Sequence, residues 1–124
     1  MKIKLTVKTR DEFVDGKRVV KFEDKEFELD LSLGCQMRWE QKFPLLAANE
    51  DLLSYTERVS KAKELTLPVI ISKIKAIYCY FDTELTFVQF LKLFDLTNKD
   101  YIEKLTNQIK EIFETVYETA SEKN

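Results

Sequence analysis

Phe27-Glu28-Leu29-Asp30-Leu31-Ser32 is the stretch that decides the fold. Up to Leu31, apolar and acidic residues alternate one by one, the period of a strand with one face in a core. From Ser32 onward the period changes, and Cys35, Trp39 and Phe43 recur every four residues. Ser32 itself is a good helix N-cap, because its hydroxyl can accept from an orphan amide of the first turn. The chain therefore reads as one domain, with a β part at residues 1–31 and a helical part at residues 32–124.

Working back from Phe27, Ile3, Leu5 and Val7 alternate with Lys4, Thr6 and Lys8. Asp15-Gly16 lies between Phe13-Val14 and Lys17-Arg18-Val19-Val20. Asp-Gly accepts the positive φ values of a type I′ turn, so this is a strong hairpin signal. A second turn is expected at Glu23-Asp24-Lys25, giving a three- or four-stranded antiparallel meander. Such a sheet is too small to stand alone and must lay its apolar face on helices.

Working forward, the Ser32 helix runs to Phe43, where Pro44 stops it. Asn49, followed by Glu50 and Asp51, reads as the next N-cap, with Leu52, Tyr55, Val59 and Ala62 on one side of the helix. Thr66 and Pro68 open the most apolar segment. Its stripe of Ile70, Ile74, Ile77, Tyr78 and Phe81 is flanked by Val69, Ile71, Cys79 and Tyr80, which predicts a central buried helix. Thr86 and Gln89 form a capping-box pair ahead of Phe87, Phe90, Leu91 and Phe94. Asp100 and Glu103 form another, and the last helix places Ile102, Leu105, Ile109, Ile112 and Val116 on one face. Glu114, Glu118 and Glu122 oppose the negative end of its dipole, so the last few residues are expected to fray. The fold class is α+β: a small N-terminal antiparallel β-meander packed on a C-terminal bundle of about five α-helices.

Composition narrows the function. A chain of 124 residues buries roughly two-thirds of its unfolded surface, enough for a core without disulfides or metal. Basic and acidic residues number 20 and 22, and residues 1–30 hold eight of each. That even spread lacks the concentrated basic field that displaces counterions from phosphate, so no nucleic acid is expected as a partner. No apolar run is long enough to span a bilayer, and the N-terminus lacks a signal-peptide core, so no membrane association and a cytoplasmic location are expected. Two distant cysteines, Cys35 and Cys79, make no disulfide framework and read as small core hydrophobes.

The sequence contains no His, which removes the commonest general base and metal ligand. Neither a calcium loop nor a Gly-rich phosphate loop can be built from Gly16 and Gly34. The expectation is a binding protein: no enzyme, no catalytic or metal residues, no cofactor. Nine Phe, five Tyr and Trp39 are the more informative inventory. Most lie on stripes expected to be buried. A surplus facing a partner is the sharper reading, since such rings anchor interfaces. It falls on the Trp39–Phe43 and Tyr78–Phe81 edges, which makes Trp39, Phe43, Tyr78, Tyr80 and Phe81 the candidate partner-binding residues. The second face of the Val69–Phe81 segment is left to pack either inside the domain or on another protein.

The order of these segments carries a family likeness. A lysine-rich hairpin leads into Phe27-Glu28-Leu29-Asp30-Leu31-Ser32-Leu33, then Met37-Arg38-Trp39-Glu40-Gln41-Lys42-Phe43-Pro44 and Leu52-Leu53-Ser54-Tyr55-Thr56-Glu57-Arg58-Val59. Ala76-Ile77-Tyr78-Cys79-Tyr80-Phe81 and Phe87-Val88-Gln89-Phe90-Leu91-Lys92-Leu93-Phe94-Asp95 follow. Over most of its length the chain resembles the tail assembly chaperones of siphophages and prophages of low-GC Gram-positive bacteria. Lys outnumbering Arg by 16 to 4 agrees with an AT-rich genome. The resemblance implies a bacteriophage morphogenesis factor that binds the tape-measure protein and recruits the major tail protein. It would work in the host cytoplasm and be missing from the mature virion. Such chaperones are often made in two lengths by a programmed −1 frameshift, and Glu122-Lys123-Asn124 can be encoded as a slippery A-AAA-AAY heptamer. Other readings are a head–tail connector or tail completion protein, and a nucleic-acid-binding regulator; self-association into a homo-oligomer stays open.

Overall fold

The computed structural model describes the backbone of residues 1–122 and the side chains of residues 1–120. The fraying expected of the last few residues falls outside the described residues, as do Lys123 and Asn124. The architecture is α+β: strands β1 (Lys2–Val14) and β2 (Lys17–Leu29), then α1 (Leu33–Lys42), α2 (Pro44–Ala47), α3 (Leu52–Ser60), α4 (Leu67–Tyr80), the short strand β3 (Phe81–Asp82), α5 (Phe87–Leu91) and α6 (Lys99–Glu122).

The first two strands form one long hairpin around Asp15 (φ 52°) and Gly16 (φ 78°), the paired positive dihedrals that Asp-Gly favours. The turn expected at Glu23-Asp24-Lys25 does not form. Those residues continue β2 opposite Val7, Thr6 and Leu5. All three are exposed, so pairing the whole strand costs no burial of charge. The register shifts between Lys8 and Arg10, where the strand bends and the Lys8 amide donates to the Leu93 carbonyl at 2.6 Å. The third strand comes from the far end of α4, not from residues 1–31. Phe81 and Asp82 pair with Leu29 and Glu28, in the order β1-β2-β3. The sheet is thus three-stranded and antiparallel, with its third strand delivered by α4.

Helix starts follow local chemistry with two shifts. Ser32 caps α1 through the Gly34 amide (3.2 Å), and Thr86 with Gln89 forms the expected capping box on α5. For α3 the cap is Asp51, not Asn49, because the one-turn helix α2 takes up the preceding residues. Asn49 instead donates to the Leu45 carbonyl at 3.2 Å. At α6 the Asn98 carboxamide accepts from the Tyr101 amide at 3.1 Å, which leaves Asp100 inside the first turn, where an acid suits the dipole.

The core lies between the inner face of the sheet and α4. Leu5, Val7, Phe27 and Leu29 meet Ile70, Ile74 and Ile77, and Leu105, Ile109 and Ile112 of α6 complete it. Helix α4 packs on α1, α3, α5, α6 and β3. Its apolar surplus is therefore consumed inside the domain.

Candidate interaction surface

The five aromatic residues singled out from the sequence come together, but as core. Trp39, Tyr78, Tyr80 and Phe81 are buried, and Phe43 is half-buried. Trp39 stands 4.6 Å from the Tyr55 ring and donates its indole N–H to the Glu50 carbonyl at 2.9 Å. Tyr78 donates to the Leu85 carbonyl at 2.6 Å, and the Tyr80 hydroxyl is bonded to Thr56 Oγ1 at 2.8 Å. Phe81 stacks on Phe27 at 5.0 Å. The polar handles of Trp39, Tyr78 and Tyr80 all have internal partners, so these three rings and Phe81 offer a visiting protein little surface and no free hydrogen bond. Phe43 retains one open side, with Phe87 edge-on at 5.2 Å and the Lys75 ammonium 5.8 Å from its ring centroid.

Titratable groups in the interior behave as packing material. Burial pushes the Cys79 thiol up to about 12 and raises Cys35 as well, the opposite of what activates a nucleophile. Burial likewise raises Tyr55, Tyr78, Tyr80 and Tyr101. Among the described residues no group of three or more His, Cys, Asp or Glu could hold a metal ion, and no helix is long and apolar enough to cross a membrane.

The apolar surface that is accessible lies elsewhere. A cleft of about 410 Å³ opens where the first turns of α1 and α3 meet the last turns of α6. Leu31, Leu33, Cys35, Leu53, Val116 and Ala120 contribute its apolar walls. Leu33 is 84 % exposed and Leu53 40 % exposed. Met37, one turn beyond Leu33 on the same face of α1, is exposed too.

Three local devices hold the cleft open. Asp30 Oδ1 accepts from the Ser32 amide at 2.9 Å and its hydroxyl at 2.5 Å, while Arg38 Nη1 donates to Asp30 Oδ2 at 3.0 Å. These bonds, with the Ser32 contacts foremost, hold the Asp30 carboxyl below its ordinary value. Gly34 allows this knot to close: a Cβ there would lie 2.9 Å from Asp30 Oδ2. Across the cleft, Gln36 Oε1 accepts from the Leu52 amide at 2.9 Å and fixes the start of α3 against α1.

Periodicity could not find these residues, because it marks what is buried. Leu33 lies off the Cys35–Trp39–Phe43 stripe and directly behind an N-cap, and Leu53 sits beside the buried Leu52. An isolated leucine in a first helical turn, out of phase with the core stripe, is the available signal.

No family model matches the chain, and comparisons with curated proteins and with solved structures return no match.

Proposed function

We propose that the protein is a non-enzymatic tail assembly chaperone that holds an amphipathic helical segment of the tape-measure protein in the α1–α3–α6 cleft. The observation carrying this reading is the accessible row of Leu33, Leu53 and Met37 around an apolar cleft built on three helix ends. An apolar strip beside a groove is the surface used to receive the apolar face of a helix, with anchors at i, i+3 or i+4, and i+7. Its modest size suits reversible contact: the partner is kept from aggregating and then released to tail-tube subunits. In this reading the protein acts in the host cytoplasm and leaves before the virion is complete. A head–tail connector is the second reading, and the small open cleft favours the transient role over a permanent ring interface.

The test is co-expression with the tape-measure protein encoded beside this chain. Wild type should raise the soluble fraction of that protein and co-purify with it. Leu33→Glu and Leu53→Glu should abolish both effects while leaving the fold intact. Each position lies in the first turn of a helix, where a carboxylate is favourable to the dipole. A tape-measure protein that stays insoluble beside wild type, or is rescued equally by the double variant, overturns the reading.

A further inference from the structure

A second cleft, of about 510 Å³, lies on a different face of α6, between that helix, the end of α3 and α4. Ile109, Phe113 and Tyr117 supply its apolar wall, and Ser60, hydrogen-bonded to the Tyr117 hydroxyl at 2.9 Å, closes one end. Three lysines line this cleft, Lys63, Lys73 and Lys110, against one carboxylate, Glu114. Lys63 and Lys110 are exposed side chains at the mouth.

Lys73 is different. It is 8 % exposed, on a helix whose neighbouring Ile70, Ile74 and Ile77 are core residues. Ion pairs and side-chain hydrogen bonds tie down much of the charge around the fold, yet among the described residues none reaches Lys73. Burial lowers its pKa, and Glu64 offsets this only in part through its charge. Its stem is buried while its ammonium still reaches the open cleft. Among the described residues no carboxylate is paired with that ammonium, so an anion entering the cleft gains a charge-assisted contact.

We propose that this cleft binds a small carboxylate ligand with an aliphatic body, its carboxylate on Lys73 and its chain along Ile109, Phe113 and Tyr117. Volumes of this order suit small organic ligands, and an apolar wall beside placed polar groups is typical of such sites. The Lys73 ammonium, unpaired beside that wall, matches one negative charge. Glu114 on the same wall opposes a dianion, and no arginine lines the cleft to fork a phosphate. The proposal is independent of the chaperone reading, because it uses different residues and needs no second protein.

The experiment is a titration of the full chain with sodium octanoate, followed by amide chemical shifts and calorimetry. 1-Octanol and inorganic phosphate are the comparison probes. Saturable one-to-one binding of octanoate is expected, with shifts centred on Lys73, Phe113 and Tyr117. Octanol should bind at least about tenfold more weakly, and phosphate should not saturate. Lys73→Met should weaken octanoate by about tenfold or more, while Lys4→Met, on the exposed outer face of the hairpin, should not change it. Lys73→Met keeps a buried apolar stem of similar length and removes only the ammonium, so its fold should persist and circular dichroism verifies it. No saturable octanoate binding overturns the proposal. So does octanol binding as tightly as octanoate, unchanged affinity in folded Lys73→Met, or preferential saturation by phosphate.

Discussion

Replacing Phe81 by Ala separates a core role from a partner-binding role more sharply than any other single change. Phe81 is fully buried, stacked on Phe27 at 5.0 Å and edge-on to Phe90 at 6.0 Å. Removing a buried phenyl ring costs about 3–5 kcal/mol, with the lost ring pairs contributing about 0.5–1.5 kcal/mol each within that range. We take about 4 kcal/mol, because β3 is held by its backbone pairing and can collapse only partly into the space. The unfolding entropy of a chain this long is about 0.26 kcal/mol/K, so Tm should fall by about 15 °C. The urea midpoint should fall by about 2 M if m is near 2 kcal/mol/M. Leu33→Ala, at the 84 % exposed rim of the first cleft, should move stability by less than about 0.5 kcal/mol. Urea unfolding of both variants, with m compared to wild type, is the assay. A Phe81→Ala change below about 1 kcal/mol with m unaltered would refute the core assignment and return the ring to the surface.

Two further predictions follow from the same packing. The Cys79 thiol, pushed up to about 12 by burial, should resist Ellman's reagent at pH 8 in the native protein and react fully in urea, with Cys35 intermediate; rapid native labelling of both would contradict the burial. Asp30, whose folded pKa lies below its ordinary 3.8 through its bonds to Ser32 and then Arg38, stabilises the fold fully above that value. That stabilisation is lost as pH falls through the lower folded value, so Asp30→Asn should flatten the acid limb of a stability–pH profile, and an unchanged limb would show that the Asp30 knot contributes nothing.

Most of the architecture was legible because the two periods of the sequence meet physical demands that leave little choice. The change at Leu31–Ser32 separates strand from helix. Asp15-Gly16 is a turn whose dihedrals few other pairs accept, and Thr86 with Gln89 satisfies two helix-start amides at once. What failed was non-local. Glu23-Asp24-Lys25 looks like a turn by composition, but pairing with Val7, Thr6 and Leu5 along a long hairpin overrides local preference. The strand at Phe81–Asp82 is two residues long and exists only because α4 delivers it to the edge of β2. Asn49 lost the α3 cap to Asp51 because α2, a single turn started by Pro44, is closed by the Asn49 and Glu50 amides donating to the Leu46 carbonyl.

Most of the aromatic rings lie on stripes whose period marks them as buried, and the structure uses them to join elements: Phe27, Phe81 and Phe90 link sheet, β3 and α5, and Trp39 and Tyr55 link α1 to α3. With only two glycines and two prolines, the described residues form short connections, and the first cleft is built from helix ends. The starts of α1 and α3 are fixed by the Asp30–Ser32–Arg38 knot and the Gln36–Leu52 bond, and while Leu52 turns into the core, Leu33 and Leu53 stay accessible. The same constraint governs Lys73, which its helix must place among isoleucines and leave facing a space that its neighbours do not fill. In both clefts the side chain proposed to make the contact breaks the pattern of the element that carries it, and each break is tolerated because the element is anchored elsewhere. Such residues are invisible to a reading that scores agreement with a period and evident to one that scores departures from it.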